Sequence, residues 1–331
     1  MDNNAGREIM KKISILVPCY NEHDNIEPMA HTLTSIMQKY NGIYNYEIVF
    51  RDNNSKDGSV DVLREISRKD KHIKVIINAR NYGIDPERDS FIGRNDGDVV
   101  IAIPCDFQEP PELIPEFIKW WEKGYEVVCG VKDSSQEGRF KYGLRQIFYG
   151  IIDSFSDIPQ YRNMSGILLV TRRIYDLKVR TAKDMPYRFF LADIGCEIKQ
   201  IHYQQRKRLH GKSSYNVWKY LSFAIESMIA TTQVPLRIAT LMGVVMSFVS
   251  FIIGVIYLIM KLVRWNRFDA GIAPMLIGVF FIGSVQLMFI GIVGEYVGNV
   301  LKKVTPKNPV IVKEVINYDE EDPYLIKEVN D

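Results

Sequence analysis

Two charge-free stretches near the C-terminus bound what this chain can fold into. Residues 238–260, between Arg237 and Lys261, hold 23 residues without a charge, and residues 270–294, between Asp269 and Glu295, hold 25. At a helical rise of ~1.5 Å per residue, each can cross a hydrocarbon core of ~30 Å. Both are rich in Ile, Val, Leu, Met, Phe and Gly, whereas the sequence before them carries turns and many charges. The pattern predicts a globular head tethered to a membrane by a helical hairpin. An enzyme anchored in this way is expected to act on something in the bilayer.

The 331 residues leave room for a head of roughly 200 residues with one large core. Lys and Arg number 42 against 40 Asp and Glu, so the balance makes no case for a nucleic-acid partner. The basic residues do cluster locally: Arg206, Lys207, Arg208, His210 and Lys212 stand just before the apolar stretches. Taken alone, that cluster reads as a juxtamembrane face suited to anionic headgroups. Cys19, Cys105, Cys129 and Cys196 form no CxxC pair, which suggests neither a disulfide framework nor a zinc site. The first apolar run, Ile13 to Val17, is too short for a signal peptide, so the head is expected to stay in the cytoplasm, below an inner (plasma) membrane. Charge agrees. Lys219, Arg237, Lys302, Lys303, Lys307 and Lys313 flank the hairpin, against Lys261, Arg264 and Arg267 in its loop, which favours both termini inside.

Along the head, short β-branched runs alternate with helical patterns. Strands are expected at Ile13–Val17, Glu47–Phe50, Ile73–Ile77, Val99–Ile103, Glu126–Val131 and Ile167–Val170. Helices are expected at Asn25–Tyr40, capped by Asn25 with Pro28 in the first turn, at Ser59–Ser67 and at Pro111–Lys123. Arg139–Asp153 reads as a basic amphipathic helix and Ser214–Thr232 as an interfacial one, with Trp218, Tyr220 and Phe223 as belt aromatics. The fold class that follows is α/β, a mostly parallel sheet covered on both faces. The expected division is a head over 1–210, a juxtamembrane segment over 211–235, the hairpin over 236–300 and a tail over 301–331. Ligands of such sheets bind at the carboxyl ends of strands. Three polar segments sit there: Pro18 to Glu22, Arg51 to Ser59 and Pro104 to Pro111. In Asp52-Asn53-Asn54-Ser55-Lys56-Asp57-Gly58-Ser59, short polar side chains can hydrogen-bond a base or ribose, though any polar loop has this composition. In Pro104-Cys105-Asp106-Phe107-Gln108-Glu109, a carboxylate can hold Mg²⁺ or Mn²⁺ against two phosphates. A helix N-terminal turn explains the same residues.

Together with Pro18-Cys19-Tyr20-Asn21-Glu22, the order and spacing of these segments resemble the family 2 glycosyltransferases of GT-A fold. Arg80-Asn81-Tyr82-Gly83 is similar to their R-N-[FY]-G motif, and Asp106 to Ile114 to D-L-Q-[DE]-P-P-E-x-[IL]. Arg206 to Arg208 with Gly211 to Tyr215 is similar to R-x-x-G-x-S-x-[YW]. The combination resembles the polyisoprenyl-phosphate branch, which includes dolichol-phosphate mannose synthases and bacterial undecaprenyl-phosphate glucosyltransferases, over about residues 12 to 305.

That resemblance implies an inverting transferase that moves a sugar from a UDP- or GDP-sugar to a polyprenyl phosphate. It implies that Pro18, Tyr20, Glu22, Asp52 and Asn54 line the base and ribose, with Arg80 in the same nucleotide site. Asp106 and Gln108 would hold a Mg²⁺ or Mn²⁺ ion with the diphosphate, and Arg206 and Arg208, with Lys132 and Arg145, would bind phosphates. Alternatives are a transferase acting on a glycan or glycolipid acceptor, and a degenerate member serving as a partner for another transferase. Gly278, Gly283, Gly291, Gly294 and Gly298 suit helix packing and a homo-oligomer. The chain departs from the family pattern at Asp193, where an aromatic is usual before the basic segment, along Ile84 to Asp89 after Gly83, and at three places within the motifs. Asn53 replaces the second Asp of the nucleotide loop, Pro104 the first Asp of D-x-D, and Gly166 the Asp of a D-F-R-L segment.

Overall fold

The computed structural model describes residues 10–83, 94–133, 164–181, 187–206, 234–263, 272–304 and 310–318. In chain order the elements are β1 (Lys12–Cys19), α1 (His23–Gln38), β2 (Asn45–Asp52), α2 (Ser59–Lys69), β3 (Ile73–Asn78) and β4 (Val99–Ala102). A 3₁₀ turn (Pro111–Leu113) leads into α3 (Ile114–Glu122), followed by β5 (Val127–Lys132), β6 (Met164–Thr171), α4 (Arg172–Thr181), α5 (Tyr187–Asp193) and β7 (Ile198–Tyr203). Two long apolar helices, α6 (Val234–Val263) and α7 (Ile272–Val304), precede a last strand, β8 (Val312–Ile316). The expected helices at Arg139–Asp153 and Ser214–Thr232 lie outside the described residues.

The eight strands form one sheet in the order β7-β5-β6-β4-β1-β2-β3-β8. The centre is parallel: β1 pairs with β2 and β4, and β2 with β3. Strand β6 runs antiparallel between β4 and β5, and β7 lies parallel to β5. The sheet is therefore mostly parallel but mixed. An apolar run shows that a strand is buried, not which way it runs. Both faces are covered. Ile13, Ile15 and Val17 pack under α1, α2 and α3 with Leu33, Leu63 and Phe117. The alternate residues Leu16, Val49 and Val100 pack under α4 and α5 with Ile174, Phe190 and Leu191.

Helix α1 begins two residues before the expected cap, so Asn25 is buried inside it and Pro28 falls in its second turn. The reason is tertiary. The N–H groups at the helix start, which have no partner in their own helix, donate to the neighbouring loop: Glu22 N–H to Ser59 Oγ at 3.2 Å and His23 N–H to Asp57 Oδ2 at 3.1 Å. Helix α3 begins as a 3₁₀ turn at Pro111, within the expected helix.

Residues 301–331, assigned from sequence to a tail, need one correction. Within them 312–316 form β8, antiparallel to β3 at the sheet edge. Arg64 Nη2 and Nε donate to the two carboxylate oxygens of Glu314 at 2.6 and 3.2 Å, and Asn317 Nδ2 donates to the carbonyls of Ser67 and Ile73, both at 2.7 Å.

The chain folds as two compact units, one built on the sheet and one holding α6 and α7. Both α6 and α7 are long and apolar enough to cross a membrane. Their large side chains, among them Leu241, Phe248, Phe251, Phe281 and Leu287, point outward. Such a surface suits a hydrocarbon solvent and would be costly in water.

Candidate functional site at the carboxyl ends of the strands

Strands β1 and β2 end in register, with Cys19 opposite Asp52. That places the two polar loops side by side, and they interlock. Asn21 N–H donates to Ser55 Oγ at 2.8 Å, and Lys56 N–H donates to Asn21 Oδ1 at 3.0 Å. Asp57 accepts from the Ser59 hydroxyl at 2.6 Å as well as from His23 N–H. Burial works against that carboxylate, but these donors outweigh it and hold Asp57 below the usual carboxylate range. Gly58 has φ of 91°, which favours glycine, and a Cβ there would stand 3.2 Å from the His23 ring.

Asp52 is fully buried at the end of β2. One oxygen, Oδ2, accepts the Ser55 N–H at 2.8 Å, while Oδ1 has no hydrogen-bond partner among the described residues. Burial pushes this carboxyl above its ordinary value, against the hydrogen bonds from Ser55 and Asn54. A buried acceptor with an unused oxygen at the mouth of two loops is suited to a donor on a ligand, such as a base edge.

Asn53 follows, and its amide is saturated. Nδ2 donates to Asn81 Oδ1 at 3.0 Å and to the Gly83 carbonyl at 2.8 Å, and Oδ1 accepts from Asn78 Nδ2 at 3.1 Å and from Tyr82 N–H at 3.0 Å. The residue that departs from the family pattern is thus the junction between the nucleotide-type loop and the Arg80–Gly83 segment. Asn54, with φ of 62°, donates through Nδ2 to the Ala79 carbonyl at 3.0 Å. Arg80 stacks its guanidinium 4.3 Å from the Tyr82 ring centroid. Pro18 is half-buried, Tyr20 is exposed, and Glu22 accepts from Asn25 Nδ2 at 2.5 Å.

The third loop follows β4. Asp106 is buried, and its Oδ1 accepts the Gln108 N–H at 3.1 Å. The Arg206 N–H donates to the Gln108 carbonyl at 3.1 Å, and Arg206 Nη1 reaches Glu112 at 3.1 Å, so the stretch after β7 is held on this loop. Lys132, the last residue of β5, stands with Nζ 3.3 Å from Glu109 Oε1. Asp106, Gln108, Lys132 and Arg206 therefore share one end of the sheet with Asp52. Arg145 and Arg208 lie outside the described residues. Tyr203, which the motifs did not mark, is brought by the tertiary fold against Glu109, the acidic residue of the D-L-Q-[DE]-P-P-E match, to which the motifs gave no role. Burial pushes the thiols of Cys19, Cys105 and Cys129 up, the last to about 12, so they are inert rather than nucleophilic.

Among the described residues no group of three His, Cys, Asp or Glu side chains is placed to hold a metal. Asp106 with Gln108 fits the mode in which one carboxylate, waters and substrate phosphates complete the shell of a Mg²⁺ ion, rather than an all-protein cage.

The family model described as "Glycosyl transferase family 2" matches residues 14–190. The chain belongs to that family of glycosyltransferases, with a GT-A-like head. It is 29% identical over 304 residues to the SfII prophage-derived bactoprenol glucosyl transferase of Shigella flexneri, covering 91% of this chain and 97% of that one. It is 30% identical over 302 residues to the uncharacterized glycosyltransferase YkcC of Bacillus subtilis, covering 91% and 93%. Among solved structures it is similar to the mannosyltransferase PcManGT from Pyrobaculum calidifontis in complex with GDP-Man and Mn²⁺. That match has a TM-score of 0.45 at 15% identity, over 64% of this chain and 60% of that one.

Proposed function

We propose that this chain transfers one sugar from a UDP- or GDP-sugar to a polyprenyl phosphate at the cytoplasmic face of the plasma membrane, with inversion at the anomeric carbon. The observation that carries the reading is the likeness to a bactoprenol glucosyl transferase over nearly the whole of both chains, apolar helices included. The strand-end chemistry supports it. Asp52, with its unused buried oxygen, receives a donor on the base. Asn54, Tyr20, Pro18 and Glu22 line the ribose side, and Arg80 stands at the rim.

The acceptor is already an anion, so the reaction needs no strong base. A phosphate oxygen of the lipid attacks the anomeric carbon, and the bond from that carbon to the diphosphate breaks, its electron pair leaving with the nucleoside diphosphate. The protein's task is to align two anions and neutralise the leaving group. Lys132 and Arg206, with Arg208 and Arg145, suit that task, since guanidinium and ammonium groups bind phosphate strongly. A divalent cation held by Asp106, Gln108 and the donor's phosphate oxygens would offset further charge on the diphosphate.

The hairpin fits this role. Because β8 rejoins the sheet after α7, two crossings return the chain to the side it left, which supports a multi-pass protein with its head on one side. The test is a panel of nucleotide sugars with polyprenyl phosphate in detergent, scored for a lipid-phosphate-linked sugar. Transfer to a glycan acceptor instead would reassign the acceptor. Nucleoside diphosphate binding with no transfer from any donor would assign the chain to a partner role.

A further inference from the structure

Two residues that break the family pattern face each other. A Cβ built at Gly166 would stand 2.7 Å from Pro104 Cγ, 3.2 Å from Pro104 Cδ and 3.7 Å from Glu109 Oε1. The first of these distances is too short for real carbon atoms, so the Pro104 ring and a side chain at 166 exclude one another. Both positions are neutral, and the carboxylate closest to the Cβ site of Gly166 is that of Glu109. Glu109 is only 4% exposed. Its Oε1 accepts from the Tyr203 hydroxyl at 3.3 Å and faces Lys132 Nζ at 3.3 Å. A carboxylate buried this deeply needs a charged partner. Lys132 supplies it, yet its own side chain is 27% exposed and remains within reach of a ligand at the strand ends.

We propose that Glu109 is a positioning residue of the transfer site: it holds the Lys132 ammonium where a phosphate of the substrates meets it. The proposal rests on the transferase reading above. Glu109 acts through Lys132 and takes no part in bond making.

The experiment compares wild type, Glu109→Gln, Glu109→Asp, Lys132→Gln and the Glu109→Gln/Lys132→Gln pair in the full-length protein, with steady-state transfer, calorimetric nucleoside diphosphate binding and thermal unfolding. Removing the charge should lower kcat about tenfold or more, while KM for the donor stays within about threefold, the split expected when stabilisation is lost mainly in the transition state. Glu109→Asp keeps the charge and should recover much of the rate. The pair should be little worse than Lys132→Gln alone, because both changes break one device. Full turnover in Glu109→Gln overturns the proposal. So do equal losses in Glu109→Gln and Glu109→Asp, additive losses in the pair, or a loss of turnover matched by lower unfolding temperature and lost nucleotide binding, which assigns Glu109 to folding. A wild type that transfers no sugar to polyprenyl phosphate defeats the functional reading itself, a result distinguishable from any of these.

Discussion

Asn53 donates its side-chain N–H to the carbonyl of Gly83 at 2.8 Å, and so ties the loop after β2 to the segment after β3. All four of its amide hydrogen-bonding positions are used, two as donor and two as acceptor. An Asp at this position, as in the family pattern, has no proton to donate when ionised, and would face the Gly83 carbonyl and Asn81 Oδ1 with like charge. Asn53→Asp is therefore expected to destabilise the head by about 1–3 kcal/mol and to weaken nucleotide binding, although it restores the family residue. Thermal unfolding and calorimetry of the variant check this. Unchanged values for both would remove Asn53 from its junction role.

Asp52 should trade stability for binding. Burial raises its folded-state pKa above the unfolded value. The native state then holds the proton more tightly, so ionisation costs stability as pH rises through the window between the ordinary carboxylate pKa and the raised one. Asp52→Asn removes that cost. It should unfold at the same temperature as wild type or higher at neutral pH, with the gap closing as pH falls below the ordinary carboxylate range. Its nucleotide affinity should drop by about 1.5–3 kcal/mol, the value of a charge-assisted hydrogen bond. A variant that binds nucleotide as well as wild type would move base recognition elsewhere.

The strand-end glycine gives a packing test. Gly166→Ala forces a methyl group toward Pro104 and should cost about 1–3 kcal/mol, as overpacking does. Adding Pro104→Ala should return most of it. The reverse change, Pro104→Asp, meets no side chain at 166 and is expected to tighten Mn²⁺ binding in the presence of nucleoside diphosphate, measured by calorimetry. Full transfer activity in chelator would show that no cation is needed.

The residue before β8 is tied to the segment after β3. The Ile311 N–H donates to the Tyr82 hydroxyl at 3.1 Å, and the Ala79 N–H donates to the Ile311 carbonyl at 3.0 Å. Deleting residues 310–331 should lower stability by about 2–4 kcal/mol, roughly 5–15 °C in the unfolding midpoint, and weaken nucleotide binding as well. Retained affinity would show that the 79–83 segment holds its shape unaided.

The same strand bears on sidedness. With β8 in the sheet, cysteines introduced near Asn266 should label from outside the membrane, and cysteines near Asn330 only after permeabilisation. The opposite pattern would invert the topology.

By itself the sequence determined the two long apolar helices, the α/β alternation and the three polar segments at strand ends. Charge-free length and β-branched runs are local properties, and loops that follow strands of a parallel sheet fall at one end of it. It also marked Asp52, Asp106, Lys132 and Arg206, which do share that end. Only the tertiary structure decided that β6 runs antiparallel and that β8 returns to the edge of β3, because strand direction and pairing across more than 230 residues leave no local trace. It also decided what the three departures mean. Asn53 is a hydrogen-bonding junction, and Pro104 and Gly166 pack together beside Glu109, relations between residues that are distant in sequence and become physical only when the strand ends meet.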